Sequence, residues 1–328
     1  MAISKAFGHY AVAVAGASAA TIDGVRSCTV PGGHELITDQ GQNSIHAIGV
    51  YVNRLAPVFN FSTQNIHALI SAITGNSGSF AYGMVISSSN ALTVSAIKYA
   101  AAGGRASGSV HLTWTVNAGL LLIDSLSVNE QGNVEANCSV YVDYDGSNQP
   151  IVFAQNAALP TGVADDYRYG LGLAEIDNVA LASLMSLQVN LGNNVQQLSG
   201  NGDIYPTFSY IGEAEFSVSC RLRHIDLIDP GTSLEWFGQS CVQAATRFFL
   251  RRRLANNEGA ASASAGYYPD ASSEHISISV LGMAYPNTIM DSSGGAQAAE
   301  AEVMLRGHTD ASGTVPIIAA IDQAMSLT

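Results

Sequence analysis

Basic charge is what this sequence has least of. Only 13 of its 328 residues are Lys or Arg, against 26 Asp or Glu, which gives a formal net charge of −13. A basic groove for nucleic acid is thereby disfavoured, because affinity in such grooves comes from Lys and Arg neutralising phosphates. Charge of either sign is short, at 12% of residues, while Gly, Ala and Ser abound. That balance suits neither a disordered chain nor an ordinary soluble enzyme, and fits a surface to be covered by neighbours. Cysteine is scarce too. Cys28, Cys138, Cys220 and Cys241 lie far apart with no C-x-x-C spacing, which speaks for reduced thiols in an intracellular setting. The eight histidines form no His-x-x-x-His or Cys/His cluster, so no metal is expected. No G-x-x-x-x-G-K loop is present, and Gly75-Asn-Ser-Gly78 is one residue short of a nucleophile elbow. No run reaches the ~18 apolar residues of a membrane span. Lys5 with Ala11 to Ala15 and Ala17 to Ala19 imitates a signal peptide, but the same run matches Tyr169 to Ala174 inside the chain, so a first strand is expected.

What the sequence has is a repeat. Glu135-Ala136 is followed by Asp145, Ser147 and Pro150-Ile-Val-Phe-Ala154, and Glu300-Ala301 by Asp310, Ser312 and Pro316-Ile-Ile-Ala-Ala320. Upstream, His111 and Val116 answer His275 and Val280, and Tyr10 answers Tyr169. Ile22-Asp-Gly-Val25 answers Ile176-Asp-Asn-Val179. Ser27, Val30, Gly41, Ile45 and Tyr51 answer Ser186, Val189, Gly200, Ile204 and Tyr210 at one constant offset. Each match is short, but their order is common, as expected of two copies of one domain. Boundaries at 1–158 and 159–328 follow, with a linker over Asn156 to Tyr167. Each copy is long enough for its own core.

Most of both copies alternates with period two in Val, Ile, Thr and Tyr, as in Val110 to Val116, Leu92 to Ala96, Ala136 to Val142 and Ile276 to Val280. Turn residues separate these runs at Asp23-Gly24, Pro31 to Gly33, Asp145-Gly146 and Gly200 to Asp203. The expected fold is therefore mainly β, with one helix per copy. In the first copy, a helix over 63–74 is expected, capped by Ser62 or Thr63, carrying Ile66, Leu69, Ile70 and Ile73 on one face and stopped at Gly75. In the second, a helix over 233–254 would start at Ser233, carry Leu234, Phe237, Cys241, Ala244 and Phe248, and end in Arg251 to Arg253, where cations suit the dipole. Two stretches rich in small residues, Ala100 to Ser109 and Asn256 to Ser273, read as loops that contact a neighbouring subunit or ring.

Few residues suggest chemistry. Asp143 and Asp145 could hold a cation or act on a substrate, yet two carboxylates on a turn suit a solvated hairpin tip, and the residue answering Asp143 is His308. Asp145-x-Ser147 and Asp310-x-Ser312 read as matching turns, with Pro150 and Pro316 opening the next strand. The arginines at 247, 251, 252 and 253 could bind phosphate, or could end a helix that meets acids of a neighbouring subunit. No catalytic, cofactor or metal residue is assigned.

These motifs together, Ile-Asp-x-Val, Ser-x-x-Val, the helix after central strands and the closing Glu-Ala…Asp-x-Ser…Pro-Ile, resemble the tail tube, or major tail, proteins of tailed bacteriophages. The resemblance spans nearly the whole chain twice. It implies two tandem β-sandwich or barrel tube-type domains, each flanked by one α-helix. Such domains stack as rings of six whose inner strands close a barrel around a channel. It implies a structural, non-enzymatic virion protein assembled in the bacterial cytoplasm, with tape measure, terminator and baseplate or tip proteins as partners. DNA would pass through unbound, an acidic lumen repelling its phosphates, and no membrane is involved. Family members mostly carry one tube domain per chain, so two per chain would give a homotrimeric ring with pseudo-sixfold symmetry, or else a hexamer with one copy outside. Other functions to weigh are a head decoration or other virion surface protein, and a carbohydrate-binding or hydrolytic β-protein using Asp143, Asp145 and Trp114.

Overall fold

The computed structural model describes residues 6–40, 46–100, 104–161, 167–181, 183–200, 202–223, 239–241, 246–254, 266–291 and 300–327. The first half holds β1 (Phe7–Val14), β2 (Ala20–Ile22), β3 (Val25–Thr29), β4 (His34–Asp39), β5 (Gly49–Leu55), β6 (Val58–Thr63), α1 (Ile66–Thr74) and β7 (Ser77–Gly78). It continues through β8 (Met84–Ile86), β9 (Leu92–Lys98), β10 (His111–Val116), β11 (Gly119–Asn129), β12 (Glu135–Val142) and β13 (Ile151–Ala157). The second half holds β14 (Tyr169–Ile176), β15 (Val179–Ala180), β16 (Leu184–Asn190), β17 (Asn193–Leu198), β18 (Phe208–Ala214) and β19 (Ser217–Leu222). It ends with β20 (Gln239–Cys241), β21 (Arg247–Arg252), β22 (His275–Val280), β23 (Gly282–Asp291), β24 (Glu300–Gly307) and β25 (Ile317–Gln323).

The protein is mainly β, as the alternation requires. In β24, Ala301, Val303 and Leu305 are buried while Glu302, Met304 and Arg306 face away from the core, because successive side chains leave a strand on opposite sides. One sheet of the first half has the order β13-β10-β9-β1-β2, and one sheet of the second has β25-β22-β21-β14-β15. Taken in chain order, these are the same sequence of strands. The same holds for the other sheet, where β8-β11-β12-β6-β3 matches β20-β23-β24-β19-β16. Antiparallel pairing of β11 with β16 fuses these last two into one ten-stranded sheet. The hairpins β4-β5 and β17-β18 stand outside the sheets. A single contiguous core runs from Val12 and Phe59 in the first half to Phe248 and Ile321 in the second.

Helix α1 lies where expected but starts later. Asn65, not Ser62 or Thr63, caps it: the Asn65 side-chain oxygen accepts from Ala68 N at 3.1 Å. Ser62 and Thr63 complete β6, and Thr63 Oγ1 is already engaged, donating to Asp23 O at 2.6 Å and accepting from Asn65 N at 3.1 Å. Ile66, Leu69 and Ile70 are buried, and Gly75 at φ +71° ends the helix, a conformation that suits glycine.

The expected second helix is not one helix. Gln239–Cys241 and Arg247–Arg252 are strands, while residues 224–238 and 242–245 lie outside the described residues. Phe248, Phe249 and Leu250 are all buried on β21, which has a hydrogen-bonded neighbour on each side, β14 and β22. A three-residue apolar run buried in a central strand does not separate from a helical stripe by spacing alone.

Candidate functional site

The chain's most elaborate surface is the seam between its halves. Along it β11 and β16 pair from Ser125 opposite Asn190 to Asn129 opposite Ser186. Leu126 and Val128 on one side, and Leu187 and Val189 on the other, turn into the core. Backbone bonds extend the seam at both ends, from Leu191 N to Asp124 O at 3.0 Å and from Glu130 N to Met185 O at 2.6 Å.

A second contact comes from the β17-β18 hairpin, which reaches over the first half. Leu55 N donates to Ile204 O at 2.8 Å, Tyr144 N to Pro206 O at 2.7 Å, and Asn193 Nδ2 to Ala81 O at 2.8 Å. A third joins the last strand to the first helix region. There β25 pairs with β7, Ile321 N donates to Asn76 O at 3.0 Å, and Asp322 lies 3.2 Å from His67.

Asp143 belongs to this seam. It is buried, and its carboxylate accepts from Ser209 N at 2.9 Å and Ser209 Oγ at 2.5 Å, across the two halves. Burial raises its pKa above the ordinary carboxylate value, and the two Ser209 bonds oppose that rise. Asp145 does something else. Its oxygens close a turn by accepting from Ser147 N, Asn148 N and Asn148 Nδ2 at 2.7–2.9 Å. Asp310 makes the matching turn with Ser312 N and Thr314 N at 2.8 Å. Trp114 packs against Phe153 with ring centroids 5.4 Å apart. The three candidates thus serve a seam, a turn and a packing pair.

Three of the arginines at 247–253 meet acids of their own chain, and Arg253 donates to Gln131 O and Gly132 O. Arg247 Nε lies 2.6 Å from buried Glu175, Arg251 reaches Asp270 at 2.7 Å, and Arg252 pairs with Glu274. Arg252 also sits between the rings of Tyr167 and Tyr268, 4.2 and 4.8 Å from their centroids. Tyr267 and Tyr268 belong to the stretch expected to contact another subunit, yet they fold back: Tyr267 bridges Arg253, and Tyr268 N donates to Arg252 O at 3.0 Å. Arg105, in the corresponding first-half stretch, bridges Tyr99 and covers the Tyr10 ring. Within these stretches, residues 101–103 and 256–265 lie outside the described residues.

Among the described residues no three His, Cys, Asp or Glu side chains converge as a metal site, and no helix is long and apolar enough to cross a membrane. The chain matches no model of a known protein family, and no curated protein aligns with it significantly. Sequence reasoning missed the seam itself, because strand pairing between the halves leaves no periodic signal. One hint existed. Asp143 faces Ser209 across the seam, and the repeat replaces it with His308, so its role is specific to one half.

Proposed function

We propose that this protein is a structural subunit of a tube, a tail-tube-type virion protein in which each chain supplies two copies of one β-domain to a ring. The observation that carries this reading is the pair of matching strand orders, joined edge to edge into one continuous sheet by β11 and β16. A sheet that passes from one domain into the next is half-way to a barrel shared among subunits, which removes exposed strand edges. Three chains would supply six domains, so the ring is a homotrimer with pseudo-sixfold symmetry. Rings would stack around a channel, and the low basic charge would let DNA pass without adhering. No enzymatic step, cofactor or metal is assigned. The partners at the tube's ends and inside it, the terminator, baseplate or tip and tape measure proteins, are those of the family it resembles. Electron microscopy of the purified protein tests the reading: rings or tubes of pseudo-sixfold symmetry are expected. Monodisperse monomers at every concentration would favour a decoration or carbohydrate-binding protein.

A further inference from the structure

The seam has two sides, and each half carries both. The second half presents the β16 edge, the β17-β18 hairpin and the β25 edge to the first, and all three are engaged. The strands holding those places in the first half are β3, β4-β5 and β13. Among the described residues these lack a strand partner on the corresponding side: β3 and β13 end their sheets, and β4-β5 forms a ladder only with itself, held to the second half at its base through Leu55 N and Arg54. Their exposure is apolar. Leu36, Ile37, Val50, Tyr51 and Val52 on the hairpin are 44–60% exposed, and Phe153 on β13 is 47% exposed where Ala319 of β25 is 0%. The complementary side is also spare. In the first half one edge of β11 pairs β8 over Gly119 to Leu121 and β16 over Ser125 to Asn129; in the second, the same edge of β23, opposite the one held by β24, pairs β20 over Gly282 to Ala284 and, among the described residues, no strand beyond.

The geometry points to a second copy of this chain as the occupant, docked so that β23 of one copy pairs antiparallel with β3 of the next. The seam inside the chain is then repeated between chains. The register follows from the paired strands. Thr288 stands opposite Glu302 as Ser125 stands opposite Asn137, and Ser27 stands opposite Ser62 as Ser186 stands opposite Arg221. Carrying the Ser125–Asn190 pair across places Thr288 opposite Pro31 of the next copy, the strand then running back towards Cys28. Pro31 falls at the end of the ladder, where a missing N–H does no harm. In the same step the β4-β5 hairpin of that next copy lies over His308 of the copy giving β23, as β17-β18 lies over Asp143. Such an interface is head-to-tail and closes only if its rotation completes a turn. It rests on the halves being copies of one domain, as proposed above.

Paired cysteines test it in the full chain. P31C together with T288C should, on mild oxidation, yield covalent closed trimers, while either variant alone yields none. S125C with N190C should close within one chain at a similar rate and serves as the control, since that pair has the geometry being transferred. A second variant, Tyr51→Asp, alters an exposed hairpin residue; ring formation should weaken at least tenfold with thermal unfolding unchanged. If rings form and the control closes but P31C and T288C do not join, the edge pairing is overturned and the tube reading survives. If Tyr51→Asp assembles normally, the hairpin contact is overturned. Chains that never assemble would overturn both this inference and the tube.

Discussion

His111 Nδ1 accepts the backbone N–H of Lys98 at 3.0 Å, and in the other half His275 Nδ1 accepts that of Arg252 at 3.1 Å. Both imidazoles are buried at the start of a strand, just before a register shift. Accepting at Nδ1 requires the ring to be neutral there, with Nε2 carrying the proton; His275 Nε2 lies 2.9 Å from Pro269 O. Burial lowers both pKa values below the ordinary histidine value, with Arg105 and Lys98 adding to the effect at His111.

A lowered folded pKa means that the unfolded chain binds protons first. Stability is therefore full above about pH 6.5 and falls as the pH drops from there through the folded values. His111→Phe and His275→Phe should each cost about 1–3 kcal/mol at neutral pH, by orphaning a buried N–H. Each should also flatten the pH dependence below about pH 6.5. Urea unfolding at several pH values checks both effects, and a single-histidine variant with an unchanged pH slope would contradict the assignment.

Gly33 and Gly192 hold equivalent corners ahead of the two hairpins. Their φ angles are +65° and +55°, and an added Cβ would lie 2.4 Å from Pro57 N in one case and from Glu215 O in the other. Each glycine carbonyl also accepts a backbone bond from the far side of its hairpin, from Ala56 N and Glu215 N. Gly33→Ala and Gly192→Ala should each destabilise by about 1–3 kcal/mol, since both backbone conformation and space oppose a side chain. Thermal unfolding measures this, and a neutral substitution at either site would show that the corner relaxes freely.

These corners bear on how much the sequence revealed. The β character, helix α1 and the Asp145 and Asp310 turns were legible, because each rests on local chemistry: alternation, capping, Asx bonds. The strand nature of Arg247 to Arg252 was not, because Phe248, Phe249 and Leu250 are buried by partners 70 or more residues before and about 30 after them in the chain. Nor was the role of Asp143, whose hydrogen-bond partner Ser209 is 66 residues away. Pairing across halves depends on edges meeting in space, and local pattern carries no record of that.

Arg252 is held by charge and by two aromatic faces, so removing these separately should give graded effects. Arg252→Leu should cost about 2–3 kcal/mol, losing the Glu274 pair and both tyrosine contacts. Arg252→Lys keeps the charge but not the planar stack, and an intermediate loss is expected. High salt should weaken the wild-type contribution only in part, since screening acts less on a partly buried pair. Equal stability of the Lys variant and the wild type would assign the whole effect to charge.

Asp143 ties the β17-β18 hairpin to the first half, and its loss should loosen that hairpin without unfolding either core. In Asp143→Ala the N–H and hydroxyl of Ser209 lose their acceptor, at a cost of about 1–3 kcal/mol. Asp143→Asn keeps one acceptor oxygen and should cost less. The pH behaviour distinguishes the wild type from both variants. Because burial raises the folded pKa, the stabilisation tied to the protonated carboxyl is full below the unfolded value near 3.9 and is lost as pH rises through the folded value; the alanine and asparagine variants should both lack that dependence. Amide hydrogen exchange gives the spatial readout. Ser209, Tyr144 and Leu55, whose N–H groups bond across the seam, should exchange at least tenfold faster in Asp143→Ala. Lys98, bonded to His111 within the first half, should be unchanged. Uniform acceleration at all four amides would mean that Asp143 supports global stability and has no particular part in the seam.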